Sequence, residues 1–196
     1  MTISPVQALP PVSLRRGKMG DLSALVALEQ AVFTTDILSR RSFRRFLTSP
    51  RATLMVAADG GKLAGYVLVF YPPRSRLARL YSIAVAPHLG GRGVGPQLLA
   101  AAEDAAKRRR REAMRLEVHE HNSRAIARYE KSGYRLFGRH RDYYENHGDA
   151  LRFEKPLAVK PRRPTVSGER PRSAALTGFD GGHRGGRSRQ SLRFRV

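Results

Sequence analysis

Between Gly90 and Gly95 four glycines fall within six residues, GGRGVG, set between the apolar run LYSIAV and the alanine-rich pattern QLLAAAEDAAKRR. No other feature restricts the fold as much. A strand must end here, a helix must begin, and the backbone joining them is bare. Glycine tolerates positive φ and adds no Cβ, so a ligand can come close to the main chain. A helix opens with four N–H groups that lack internal partners and with partial positive charge. Gly91, Arg92, Gly93, Val94 and Gly95 therefore read as an anion cradle built mainly from amides, with Gly90 at its entrance. Pro96 suits the first helical turn, where it has no bond to lose. Two phosphate fingerprints fail. G-x-G-x-x-G started at Gly91 ends on Pro96, and started at Gly93 ends on Leu98. In G-x-x-x-x-G-K-[ST], Gly90 to Gly95 is followed by Pro96 and Gln97. A plain tight turn is the competing reading.

The rest of the pattern gives an α+β chain. Val12–Arg16 reads as a strand, and Asp21 as the N-cap of a helix carrying Leu22, Leu25, Leu28, Val32 and Phe33. Ser39 caps a second helix through Phe43 and Phe46. Thr53–Ala58 and Leu63–Phe70 form a hairpin around the turn signal DGG. Arg79–Val85 is a strand, and a helix runs from about Gly95 to Arg111. Met114–Glu120 is a strand, followed by a helix capped by Asn122 or Ser123 and stopped at Gly133. Tyr134–Arg141 and Ala150–Leu157 are the last strands. This order predicts a mixed, mostly antiparallel sheet of about seven strands with about four helices.

The 196 residues suffice for one domain. They contain no cysteine, which removes disulfides, thiolate metal sites and cysteine nucleophiles. No apolar run approaches the roughly 20 residues of a membrane span, and the N-terminus lacks the order of a signal peptide. The expectation is a cytoplasmic protein with no membrane partner. Net charge is +21, and residues 158–196 alone hold ten basic and two acidic residues. That Gly/Pro/Ser/Arg-rich tail shows no periodicity and reads as disordered. Its charge suits association with a ribosome or RNA, or only solvation. Residues 1–11 read as a flexible N-terminus. His119, His121 and His147 have no metal-ligand spacing, so no metal is expected.

LYSIAVAPHLGGRGVGPQLL resembles the acetyl-CoA motif of GCN5-related N-acetyltransferases, a strand leading into [Q/R]-x-x-G-x-[G/A] and a long helix. Gly93 and Gly95 match its last two positions. Gly90 stands where the family usually has Gln or Arg, a lost side chain that Arg92 is expected to cover in part. RLEVHEHNSRAIARYEKSGYRLFGRHRDYY is similar to the RimI-type protein N-terminal acetyltransferases, through Glu117, Asn122, Tyr129, Gly133, Tyr143 and Tyr144. Other segments resemble acetyltransferase domains that precede a papain-like peptidase domain in some bacterial proteins. The resemblance covers about Leu14 to Leu157, so 12–157 is assigned as the acetyltransferase domain.

The resemblance implies acetyl-CoA as co-substrate, held in a splay between two strands. Ile83, Ala84 and Val85 would pair with its pantetheine arm like an added strand. Asn122 would bond the same arm, with Arg128 and Lys131 near its phosphates. Glu117 is the implied base and Tyr129 the implied proton donor to the departing thiolate. The competing readings are a solvent-facing strand carboxylate for Glu117 and core packing for Tyr129. Phe33, Tyr143 and Tyr144 would line the acceptor slot, against a reading as hairpin packing. An α-amine, with pKa about 7.7–8.0, is neutral far more often at pH 7 than a lysine amine at about 10.4. The leading expectation is thus acetylation of a protein N-terminus, such as that of a ribosomal protein, by direct attack in a ternary complex. The alternatives are a lysine, peptide or small-molecule acceptor, or a non-catalytic module that binds acetyl-CoA or nucleic acid.

Overall fold

The computed structural model describes residues 12–144 and 147–158. The N-terminus expected to be flexible over 1–11 lies outside the described residues, as does the tail beyond 158. Among the described residues no helix is long and apolar enough to cross a membrane.

Seven strands and four main helices form in the expected order. The strands are β1 (Ser13–Arg16), β2 (Ala52–Asp59), β3 (Lys62–Phe70), β4 (Leu77–Val85), β5 (Ala113–His119), β6 (Arg135–His140) and β7 (Ala150–Pro156). The helices are α1 (Leu22–Val32), α2 (Arg40–Thr48), α3 (Val94–Arg108) and α4 (Ser123–Lys131). They build one sheet in the order β1-β2-β3-β4-β5-β7-β6, with only β4 and β5 parallel.

Local chemistry explains the joints. Gly60 and Gly61 both take positive φ, 54° and 80°, as a two-residue hairpin turn between β2 and β3 requires. Ser39 caps α2 by accepting from the Ser42 amide at 3.1 Å, and Asn122 caps α4 by accepting from the Ala125 amide at 3.1 Å. Asp21 sits at the N-cap of α1 but makes no side-chain cap bond. Its carboxylate is taken instead by Arg15, at 2.7 Å to each oxygen, and by the Lys18 amide. A bidentate guanidinium pair outcompetes a neutral cap. Helix α3 ends at Arg108 rather than Arg111 because Arg110 turns left-handed, with φ 55°.

β2 and β3 are buried on both faces, because helices cover both sides. Tyr66 meets Phe43 of α2 edge-on at 5.4 Å. Its neighbour Gly65 faces Leu98 of α3 on the opposite side. Where β3 runs beside β4 the register slips, so Tyr81 is an extra residue between Ser82 and Leu80. Such a bulge sharpens the local twist. β4 then pairs with β5 only over Leu77–Arg79 against Ala113–Arg115, and the rest of both strands runs apart.

Gly65 is the tightest joint of this arrangement. A Cβ there would lie 2.7 Å from the Ala84 carbonyl oxygen and 2.9 Å from Leu98 Cδ1. Gly65→Ala is expected to cost about 1–3 kcal/mol in chemical denaturation, the usual penalty for overpacking. A stability equal to that of the parent chain would mean that α3 and β4 yield freely.

Candidate active site

Where β4 and β5 separate, a cavity of about 360 Å³ opens. Ile83 and Val85 of β4 form one wall, the glycine loop the floor, and Asn122, Arg124, Ala125 and Arg128, along α4 from its N-cap to its last turn, the other wall. Ala84 alternates away and is buried. Gly91 and Gly93 take φ of 84° and 75°, a region that L side chains rarely enter. Within the loop the Gly90 amide donates to Pro87 O at 3.1 Å and the Arg92 amide to Leu89 O at 3.3 Å. Among the described residues no acceptor meets the amides of Gly91, Gly93, Val94 or Gly95. Four amides from these positions are therefore open to an anion, whereas those of Gly90 and Arg92 are occupied within the loop.

Of the cations expected near the cofactor, Arg128 lines the cavity, whereas Arg92 and Lys131 do not. Arg92 Nη1 donates to Asp59 Oδ2 at 2.9 Å, which turns it toward the β2–β3 hairpin. Lys131 is exposed and lies outside the cavity wall. Arg124, which the sequence reading passed over, reaches the loop instead. A Cβ on Gly90 would lie 3.8 Å from its Nη2, and one on Gly95 would lie 3.3 Å from Arg128 Nη1. Neither arginine has an acidic partner among the described residues. One helical turn back from Arg128 leads to Arg124, so the spacing held the signal. Four free amides at the start of α3 and two guanidiniums of α4 without an acidic partner fit a diphosphate, and the narrow splay fits a thin amide-bearing arm.

Glu117 lies on β5 opposite Arg152 of β7. It is 1% exposed, so it is not a solvent-facing carboxylate. Neither carboxylate oxygen has a hydrogen-bond partner among the described residues, and Arg152 Nε stands 3.8 Å away. Burial pushes this carboxyl above its ordinary value, and Arg79, Arg152 and Arg115 pull it back only in part. Tyr129 of α4 is also 1% exposed, and among the described residues its hydroxyl has no partner. Burial raises its pKa, Arg128 opposes that, and nearby Tyr144 adds to it. Tyr144 stacks on His119 at 4.9 Å, and His119 follows Glu117 by two residues on the same face of β5. Tyr143 stacks on His140 at 5.5 Å and meets Tyr144 edge-on at 5.2 Å. Both tyrosine amides donate to Gly148 O, which fixes the turn. Glu117, Tyr129, Tyr143 and Tyr144 are absent from the cavity wall and gather beside it, on β5, α4 and the turn before β7.

Phe33 forms the C-cap of α1, also off the cavity wall. The loop it opens is held by a residue that the sequence reading missed. Glu29 is fully buried; its carboxylate accepts the Leu38 amide at 2.8 Å and the Tyr66 hydroxyl, which contacts Ser82 Oγ at 2.8 Å. Its spacing from Leu22 and Leu25 places Glu29 on the apolar face of α1, which is the sign that it is buried.

A sheet split at one parallel pair, with an amide loop opening the helix after β4, defines a protein that handles a phosphate-bearing cofactor with a long arm. Residues 23–134 match the Acetyltransferase (GNAT) family. The N-alpha-acetyltransferase RimI of Mycobacterium tuberculosis is 32% identical over 146 residues, covering 70% of this chain and 87% of that protein. The solved structure of the ribosomal-protein-S18-alanine N-acetyltransferase from Escherichia coli superposes with a TM-score of 0.69 at 25% identity, over 79% of this chain and 99% of that one. The solved structure of the NatC complex bound to Gag peptide and CoA shares the fold, with a TM-score of 0.67 at 22% identity over 76% of this chain and all of that one. The chain belongs to the acetyltransferase (GNAT) family, and it is an acetyl-CoA-dependent N-acyltransferase.

The strained electrostatics of Glu117 are measurable without substrate. Unfolded, its carboxyl ionises at its ordinary value of about 4.5. Above that pH the folded state carries a charge that burial disfavours. The cost is full above the raised folded pKa and vanishes below the unfolded one. Glu117→Gln is expected to raise the thermal midpoint at pH 7 by about 2–4 °C, the shift for roughly 1 kcal/mol in a domain of this size. The difference should disappear near pH 4. A lower midpoint at pH 7 would mean that the three arginines outweigh burial.

Proposed function

We propose that this acetyltransferase acts on the N-terminal α-amine of a protein, a ribosomal protein being the favoured class. The observation that carries the reading is the pair of buried groups Glu117 and Tyr129 beside the splay, each with its polar atoms unsatisfied by the protein. The names of the Mycobacterium tuberculosis and Escherichia coli relatives support the acceptor class.

Acetyl-CoA supplies the acyl group as an activated thioester. The amides of Gly91, Gly93, Val94 and Gly95, with Arg124 and Arg128, would hold its phosphates. Ile83 and Val85 would line its arm, together with Asn122. Glu117 takes the proton that the acceptor nitrogen gives up. Burial raises its carboxyl above the ordinary carboxylate range and so makes it a stronger base; an α-amine, at about 7.7–8.0, needs less help from it than a lysine at about 10.4. Tyr129 Oη holds its proton at every physiological pH. A phenol pushed above 10 is a weaker acid than a thiol at about 8.5, so full transfer is uphill. Tyr129 therefore acts by donating a hydrogen bond where negative charge collects on sulfur. Tyr143, Tyr144 and Phe33 would border the acceptor chain, on elements that Glu29 and Gly148 hold in place.

Thiol release from acetyl-CoA with a panel of peptides and polyamines tests the acceptor, with mass spectrometry locating the acetyl group. Acetyl on peptide α-amines supports the reading, and transfer confined to lysine side chains or polyamines overturns it. Tyr129→Phe is expected to lower kcat by about 10–100-fold while acetyl-CoA affinity holds within about twofold, in the range of lost proton-donor catalysis. Near-normal turnover would remove Tyr129 from the chemistry. In calorimetry Arg124→Ala should weaken coenzyme A binding by about tenfold, the worth of one charge-assisted bond. Arg92→Ala should leave it nearly unchanged. The opposite ranking would return the phosphate contact to the loop.

A further inference from the structure

We propose that the end of the domain opposite the glycine loop docks RNA through its phosphodiester backbone. Helix α3 runs from the loop to Arg108 over 15 residues, about 22 Å, so this surface is well separated from the cavity.

Three turns meet there around the buried ring of Tyr71. The turn before β2 brings Arg51, whose carbonyl accepts the Tyr71 amide at 2.8 Å. The β3–β4 turn brings Arg74 and Arg76, and the turn after α3 brings Arg108 and Arg110. Arg109 and Arg111 have structural work. Their guanidiniums lie 4.5 and 5.5 Å from the Tyr71 ring and donate to the carbonyls of Pro50 and Ser75. Arg76 pairs with Glu112. Arg51, Arg74, Arg108 and Arg110 are exposed; among the described residues the side chains of Arg51, Arg74 and Arg110 have no partner, and Arg108 has only an electrostatic pull on Tyr71.

The backbone singles out two of these. Arg74 and Arg110 both have φ of 55°, a left-handed conformation that glycine or asparagine enters at far less cost. A strained position held by a long side chain that touches nothing in its own protein points to a partner outside it. Thirty-one of the 37 basic residues in the chain are arginine, whose planar fork matches phosphate oxygens. The exposed large apolar side chains among the described residues are Leu14, Met19, Ile37, Leu136 and Phe137, and none lies in these turns. A membrane-lying surface would need such anchors. RNA is favoured over DNA by the ribosomal acceptor proposed above, since a phosphodiester backbone is common to both.

The test uses the full chain and its R74G/R110G double variant, with a labelled RNA duplex read by fluorescence anisotropy at several salt concentrations. Glycine relieves both turns, so the thermal midpoint should equal or exceed the parent's, and coenzyme A affinity should match it. RNA affinity should fall about tenfold, and the slope of log affinity against log salt should lose about 1.8, the share of two phosphate contacts on a duplex. An unchanged affinity and slope would assign RNA binding to the tail and overturn the proposal, as would a parent chain that binds no RNA. Equal binding of a DNA duplex, or an equal loss on vesicles of 30% phosphatidylserine in phosphatidylcholine, overturns the RNA assignment. Coenzyme A binding is measured separately, so failure of the acetyltransferase reading would be distinguishable.

Discussion

The parting of β4 from β5 is the constraint on which the molecule turns. Three residues of each strand pair, and the bulge at Tyr81 carries the rest of β4 away. A continuous sheet would satisfy those strands and leave no room for a ligand. The split leaves backbone edges facing one another across a gap. It also sets the end of β4, and hence the start of α3, beside the start of α4. The glycine loop needs bare backbone because two helix N-termini converge on one small space.

The fold carries two buried carboxylates in opposite ways. Glu29 accepts a backbone amide and a tyrosine hydroxyl, so its desolvation is offset and it fastens the α1–α2 connection. Glu117 accepts no hydrogen bond and stands 3.8 Å from the Arg152 nitrogen. Burying a carboxylate without partners costs free energy, whereas a satisfied one adds rigidity. The contrast separates a framework residue from one left available for chemistry.

Much of this was legible in the sequence because it rests on local rules. DGG specified the β2–β3 turn, Ser39 and Asn122 announced their helices, and the glycines marked the loop after β4. Competition was harder to read. Asp21 occupies an N-cap position, yet Arg15, which is remote in that local pattern, takes its side chain. Arg92 looked available in the loop, but Asp59 of a distant hairpin claims it. Arg124 looked like an ordinary exposed helix residue, and only the packing of α4 against the loop gives it a role. Glu117 could be read as solvent-facing because strand alternation does not reveal that both faces of β5 are buried at this position.

The arrangement of the cavity has a mechanical consequence. Its amides follow β4, whereas Arg124 and Arg128 follow β5, so the two groups belong to different halves of a sheet that is unzipped between them. A polyanion gripped by both would act as a clasp, closing from outside the seam that the backbone leaves open.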